Sequence, residues 1–223
     1  MGKVVNIKQK NTLGKLKSEE RQNRKNLIID AAERVFASRP FDKVSMREIA
    51  EEAGMAVSSI YTYFPNQESL FLEAVLRDSN QLLDEIEGMI QTGPGGSAII
   101  DRVIETFIEF IAQRDSYYRM MVVFMTHGNL KPESIRKLNG VVGRGLAMFD
   151  PIFVSAGYRG NVRLLSHYFF AMLNGILVTF RKFPGRSDKV IVAHMKRVGR
   201  TFTGLLAPNN EKKSRNGQRQ RTR

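Results

Sequence analysis

The chain has 223 residues, of which 42% are apolar and 26% charged, with no cysteine and a formal net charge of +13. That apolar content supports a sizeable core, while the lack of cysteine excludes disulfides, thiolate metal sites and a cysteine nucleophile. No stretch approaches the roughly 18 uninterrupted apolar residues of a membrane span, and the first residues lack a secretory pattern. The expectation is a cytoplasmic protein that does not use a membrane.

The charge is concentrated at the two ends. Residues 1–25 hold eight Lys and Arg against two Glu, a net +6, and residues 208–223 hold six against one, a net +5. Basic ends of this kind point to a polyanion, with nucleic acid favoured and a solubilising tail as the alternative. Residues 1–19, poor in large apolar groups, read as a basic flexible arm, and 208–223 as a basic disordered tail.

Helical spacing begins at Glu20 and runs to Arg39, with Leu27, Ile28, Ala31, Ala32, Val35 and Phe36 on its apolar face. Pro40 stops it. Ser45 and Glu48 form a capping box ahead of a short helix with Met46, Ile49, Ala50 and Ala53 on one side, ended by Gly54. A second short helix spans about Val57–Phe64, and Pro65 closes it. Asn66 then caps a long helix that extends to about Gln91 and links two domains.

After a TGPGGS loop (92–97) come helices at about 98–113, 116–127 and 132–156, the last two separated by a Gly128-Asn129 turn. Two strongly apolar helices follow at about 163–183 and 187–206. Nothing alternates with strand period, so the fold class is all-α, about nine helices. Domain bounds are read as 20–66 for a unit of short helices and 67–207 for a larger helical unit.

Two short helices around a Gly-containing turn, behind a longer one, describe a helix-turn-helix, whose second helix can enter a major groove. Helical hairpins of this shape also occur as plain packing units. The run from Leu27 to Val75, and within it AAERVFA, SMREIAEEAG and SIYTYFPNQESL, resembles the DNA-binding region of TetR/AcrR-family regulators. The resemblance implies a ligand-released repressor that binds a palindromic operator in double-stranded DNA as a homodimer. The alternative is a helical interaction module, or a regulator without an effector.

By position, the resemblance gives Ser45, Met46, Arg47, Ala56, Val57, Ser58, Ser59, Tyr61, Thr62, Tyr63 and Gln67 to the DNA interface. Arg47 suits a guanine edge or a phosphate. Val57 suits a thymine methyl or packing against Ile60. Tyr61 and Tyr63 match positions touching phosphate or base, with half-buried scaffold as the alternative, better suited to Tyr61. Thr62 offers a hydroxyl to the DNA backbone. Ala56 replaces the usual N-cap Ser or Thr, and Gln67 replaces a phosphate-binding Lys. Residues 26–76 carry four basic against eight acidic side chains, a net −4, so the basic arm is expected to supply much of the phosphate attraction.

The resemblance also implies a small-molecule effector. Phe107, Phe110, Tyr117, Met121, Phe124, Met125, Phe149, Phe153, Phe169 and Met172 are the candidate lining for a hydrophobic or aromatic ligand, although most must also be core. Tyr117, His127, His167 and Asn174 are its candidate polar anchors. Leu173, Ile176, Leu177, Phe180, Met195, Val198 and Phe202 are the candidate dimer interface, with Gly175 and Gly199 permitting close helix approach. A monomeric core is the competing reading. His127, His167 and His194 are scattered, and no metalloprotease, nucleophile-elbow or phosphate-loop motif occurs. No enzyme, cofactor or metal is expected.

Overall fold

The structure, a computed structural model, describes residues 2–93, 95–126 and 130–206. Among them the chain forms nine α-helices and a single 3₁₀ turn, Phe41–Lys43, with no strand. The helices are α1 Gly2–Ser38, α2 Met46–Glu52, α3 Val57–Tyr61, α4 Gln67–Thr92, α5 Ser97–Ala112, α6 Asp115–Thr126, α7 Pro132–Ser155, α8 Val162–Phe180 and α9 Asp188–Leu206. His127, the Gly128-Asn129 turn and the 208–223 tail lie outside the described residues.

The largest departure from expectation is at the start. Residues 2–19, read from sequence as a flexible arm, continue α1 as helix, although every side chain from Thr12 to Arg24 is exposed. Lys, Glu, Gln and Leu carry helix propensity without needing a buried face. Pairs at i,i+4, Lys15–Glu19 at 4.0 Å and Arg24–Glu20 at 2.7 Å, add local support.

The described chain divides into two units. The first comprises the chain up to Ser79 together with Arg114–Leu138, the second Asn80–Gln113 together with the chain from Asn139. This differs from a boundary at 66/67. The early part of α4 belongs to the first unit because Leu70, Phe71, Ala74 and Val75 are buried there. Phe71 stands edge-on to Phe36 (4.9 Å between centroids) and also meets Phe41 (4.5 Å) and Phe124 (4.9 Å). Sequence periodicity shows that a helix has an apolar face but not what covers it.

Beneath this aromatic cluster the first unit holds a charged knot. Arg77 bridges Asp30 (2.6 Å) and Glu33 (2.7 Å), with Asp78 buried beside it. Burial, then the Asp78 carboxylate, push Glu33 up to about 7 against the opposing pull of Arg77. Burial likewise raises Asp78, opposed by Arg77 and Arg114.

In the second unit α5 packs on α8 and α9. Gly199 belongs to this contact: a Cβ there would collide with Ile104 Cγ2. The close approach it permits is therefore within the protomer, not across a dimer seam. Leu173, Ile176, Leu177 and Met195 are likewise buried inside the unit, which corrects their placement at a dimer interface. Phe202 stacks on Phe169 (5.4 Å), which stands edge-on to Phe149 (4.9 Å) and Phe153 (5.4 Å).

Helix α8 is long and apolar enough to cross a membrane by length and composition. Leu165, Phe169, Leu173 and Leu177 account for much of that apolarity by facing the core.

Two outcomes follow from these contacts. Gly199→Ala overpacks the Ile104 contact and should cost about 1–3 kcal/mol of stability, read from the denaturation midpoint; an unchanged midpoint would contradict the geometry. Because Glu33 holds its proton more tightly folded than unfolded, folding stability should fall as pH rises from about 4.5 to about 7. Glu33→Gln should flatten that dependence in thermal melts across this range.

Candidate DNA interface

The reading head is assembled from short pieces, each pinned by side chain or backbone. At the start of α2 the capping box forms: the Ser45 N–H donates to Glu48 Oε2 (2.8 Å) and the Glu48 N–H donates to Ser45 Oγ (3.3 Å). The hydrogen bonds from the Ser45 backbone N–H and hydroxyl hold the Glu48 carboxyl below its usual range, helped by Arg39, with which it also pairs.

At the other end of α2, Gly54 takes a left-handed φ of 64°. The Met55 N–H reaches back to the Ala50 carbonyl (2.9 Å) and the Gly54 N–H to that of Glu51 (3.1 Å). This is a Schellman closure, which needs a residue without a Cβ penalty at position 54. It turns the chain at once into α3.

Helix α3 is five residues long and follows Ala56, an N-cap residue whose backbone is extended but whose side chain offers no cap. Ile60 and Phe64, both almost wholly buried, hold it down. The opposite side faces solvent: Ser58 and Thr62 are exposed and Tyr61 is 50% exposed, and the capping Ala56 is exposed as well. Arg47 on α2 is exposed as well.

Ser45, Met46, Arg47, Val57, Tyr61 and Gln67 line one open recess of about 530 Å³, also bounded by Val44, Pro65 and Asn66. The fold thus gathers six of the eleven sequence-predicted residues around one hollow. Val57 and Ser59 are half-buried.

Four roles change. Met46 is 7% exposed and belongs to the core under α2, so at most its edge borders the recess. Gln67 donates its side-chain amide to the Phe41 carbonyl (2.8 Å), which ties α4 to the 3₁₀ turn instead of leaving that N–H for a phosphate. Thr62 donates its hydroxyl to the Ser59 carbonyl (2.6 Å), finishing α3 from within. The two tyrosines exchange places: Tyr61 is the exposed one, while Tyr63 is half-buried beneath Arg21, whose guanidinium carbon lies 5.1 Å from the ring centroid.

Arg21 and Lys25, counted from sequence only as charges of the basic amino-terminal segment, also belong here. Lys25 lies 5.7 Å from the Phe64 ring centroid and pairs with Glu73 (2.7 Å), which also binds Lys137 (3.0 Å). About one turn and a half earlier on α4, Glu68 accepts from the Ser134 hydroxyl (2.7 Å) and the Lys131 N–H (3.1 Å). Burial pulls the Glu68 carboxyl up, but these two donors outweigh it and leave it below the usual range. Both brackets fix the start of α4 behind α3. No local motif announces them, because their partners lie 48 to 66 residues apart in the chain.

The family of bacterial regulatory proteins called the tetR family matches residues 28–74. The chain carries a TetR-family domain. Its extent runs from the buried part of α1 into α4.

A relative in Haemophilus influenzae, an uncharacterized HTH-type transcriptional regulator, is 27% identical over 108 residues. That match covers 48% of this chain and about half (53%) of the relative's length. Among solved structures, the regulator FadR of Bacillus subtilis in complex with stearoyl-CoA has a TM-score of 0.69 at 24% identity, covering 82% of this chain and 97% of that one. FadR of Bacillus halodurans has 0.70 at 21%, with 83% and 95% covered. A regulator from Saccharomonospora viridis in complex with choline has 0.64 at 17%, with 79% and 95% covered. These likenesses, all below 25% identity, show a shared all-α fold.

The candidate effector residues fall in both units. In the first, Tyr117 is buried and shares a 2.9 Å hydrogen bond with Ser79, and burial pushes its hydroxyl up to about 12. Met121 is buried with it, Phe124 is half-buried against Phe71, and Met125 is exposed. In the second, Phe107, Phe110, Phe149, Phe153 and Phe169 are buried and Met172 half-buried.

Asn174 spends its amide on the Phe170 carbonyl (2.8 Å) and His167 points to solvent, so neither serves as a buried anchor. Val198 is half-buried, and Phe180 lines a groove of about 530 Å³ with Phe183, Val190, Ile191 and His194, rimmed by Arg186 and Arg197. Among the described residues, no group of three or more His, Asp or Glu could hold a metal ion.

The missing cap yields the clearest local outcome. Ala56 already has the extended backbone of an N-cap, so Ala56→Ser should stabilise the domain by about 0.5–2 kcal/mol. A rise in the thermal midpoint would bear this out, and a fall would contradict the assigned start of α3.

Proposed function

We propose that the chain is a sequence-specific DNA-binding transcriptional regulator, a ligand-released repressor that works as a homodimer on a palindromic operator. One observation carries the reading: α3 is buried on the Ile60 side only and presents Ser58 and Tyr61, beside Arg47 of α2, to solvent. A helix so supported can enter a major groove while α2 braces it across the backbone. In this reading Arg47 takes a guanine edge or a phosphate, Val57, Ser58 and Ser59 meet base edges, and Tyr61 touches the backbone.

The homodimer is supported by α8. Leu164, Tyr168, Ala171, Gly175 and Val178 recur at spacings of three and four residues and are all exposed, on the side away from the buried stripe. A Cβ at Gly175 would meet nothing within 4 Å, which leaves room for another helix. The face offered to a second copy is thus shifted from the buried residues that sequence reading favoured. Two-fold pairing would set two reading heads in successive major grooves, about 34–36 Å apart.

The effector is taken to be a hydrophobic small molecule. Support comes from the aromatic and Met content of the α5–α8 region and from the TetR-type fold shared with a FadR solved with stearoyl-CoA. Release then requires that the ligand bind one spacing of the heads more tightly than the other.

A gel shift of the chain against DNA from upstream of its own gene tests the core of this reading. Arg47→Ala is expected to weaken that complex by about 1–3 kcal/mol while leaving the fold intact by circular dichroism. Equal binding to upstream and mixed-sequence duplex would overturn specific recognition. A stearoyl-CoA titration that neither raises the melting point nor releases DNA would overturn the acyl-effector part alone.

A further inference from the structure

The turn between α8 and α9 leaves charge and apolar surface that the rest of the second unit does not use. Helix α8 ends where Arg181, only 2% exposed, turns inward. Its guanidinium donates to the Ala112 carbonyl (2.9 Å) and to Asp188 Oδ1 (3.3 Å). Asp188 is the single acid between residues 159 and 206, against nine Lys and Arg. The one carboxylate of this segment is therefore engaged from inside.

The cations that follow divide by side. Lys196 pairs with Glu109 and Arg200 with Glu105, both on α5. Arg186, Lys189 and Arg197 are exposed, and among the described residues none of the three pairs with an acid. Arg197 meets His194 Nδ1 instead (3.1 Å), a ring nitrogen that positions the guanidinium without cancelling its charge.

Arg186 and Arg197 stand at the rim of the groove of about 530 Å³ formed by Phe180, Phe183, Val190, Ile191 and His194, and the described residues that line it include no acid. His194 is fixed there edge-on to Phe180 (4.8 Å between centroids). Phe183 and Val190 are each 50% exposed, so the groove keeps apolar surface against water. Val190, His194 and Arg197 succeed one another at i, i+4 and i+7, so the groove follows α9 for roughly 10 Å.

A hollow of this size takes a small molecule. Elongated and apolar, with guanidinium groups at its rim, it suits a hydrocarbon chain ending in a carboxylate, whose two oxygens match the guanidinium fork. A second copy of the chain fits less well. Its own α8–α9 segment has the same excess of cations, and would set like charge against like.

We propose that the Phe180–Phe183–Val190 groove is a binding site for a hydrocarbon-chain carboxylate. Arg186 and Arg197 hold the carboxylate, while Phe180, Phe183, Val190 and Ile191 cover the chain. The site shares no residue with the candidate effector lining, and it does not depend on the DNA-binding reading above.

The chain has no cysteine, so Ser187→Cys gives one attachment point for an environment-sensitive fluorophore beside Arg186. The labelled full chain is titrated with dodecanoate, dodecanol and dodecyltrimethylammonium, all below micelle formation. Dodecanoate should shift the emission saturably, dodecanol should bind about tenfold more weakly or worse, and the ammonium should not bind. Arg186→Gln/Arg197→Gln should weaken dodecanoate about tenfold or more with the thermal midpoint retained. Lys196→Gln/Arg200→Gln removes equal charge from the same unit and should change the affinity by less than about twofold. From octanoate to dodecanoate the affinity should rise by up to about fourfold for each methylene the groove buries.

Equal affinity for dodecanoate and dodecanol, equal effects of the two variant pairs, or no emission change would each overturn the site. An emission change that survives loss of both Arg186 and Arg197 would place the carboxylate elsewhere and overturn it as well. So would phosphatidylglycerol vesicle binding that needs both arginines while free dodecanoate fails to bind. If Arg186→Gln/Arg197→Gln shifts sedimentation toward monomer and the parent chain binds no dodecanoate, the groove belongs to a second copy and the site is lost.

Discussion

A five-residue helix has no stability of its own in water, since nucleation costs more than so few hydrogen bonds return. Helix α3 exists because Ile60 and Phe64 are almost wholly buried on one side of it. Everything proposed about DNA depends on that one-sided anchoring. The buried residues set the axis of the helix, and the axis decides that Ser58 and Tyr61 point outward. The capping box of Ser45 and Glu48 and the left-handed turn at Gly54 then fix where α2 begins and how abruptly it gives way to α3.

Around that anchor the first unit invests its charges in positioning. Arg77 bridges Asp30 and Glu33, Glu73 joins Lys25 to Lys137, and Glu68 gathers Ser134 and Lys131. All three groups are on α4, and together they fix it against α1 and the start of α7. Many of the acids that make the reading head negative are therefore structural.

The second unit follows a different logic. It is filled by aromatic and aliphatic side chains from α5, α8 and α9, and Gly199 lets α9 approach Ile104 at a distance no larger residue would permit. Once Leu173, Ile176, Leu177 and Met195 are spent on that interior, the apolar surface of α8 left over is the Leu164–Tyr168–Gly175–Val178 face. A broadly apolar helix is thus divided between two tasks by which of its sides the neighbouring helices cover.

The sequence by itself determined the helical class, the order and approximate limits of the helices, the capping box, the turn at Gly54 and the family likeness of residues 27–75. These are all local: periodicity, caps and breakers act within one or two turns of chain. Tertiary structure alone decided that Tyr61 rather than Tyr63 is exposed, that Gln67 serves the Phe41 carbonyl, and that α8 keeps Leu173, Ile176 and Leu177 inside the protomer. It also decided that the basic arm is a continuation of α1, since low apolar content distinguishes a solvated segment but not its conformation. An apolar or polar side chain in the sequence states a preference for burial or hydrogen bonding. Which partner satisfies it depends on residues tens of positions away, brought within reach only when the helices pack.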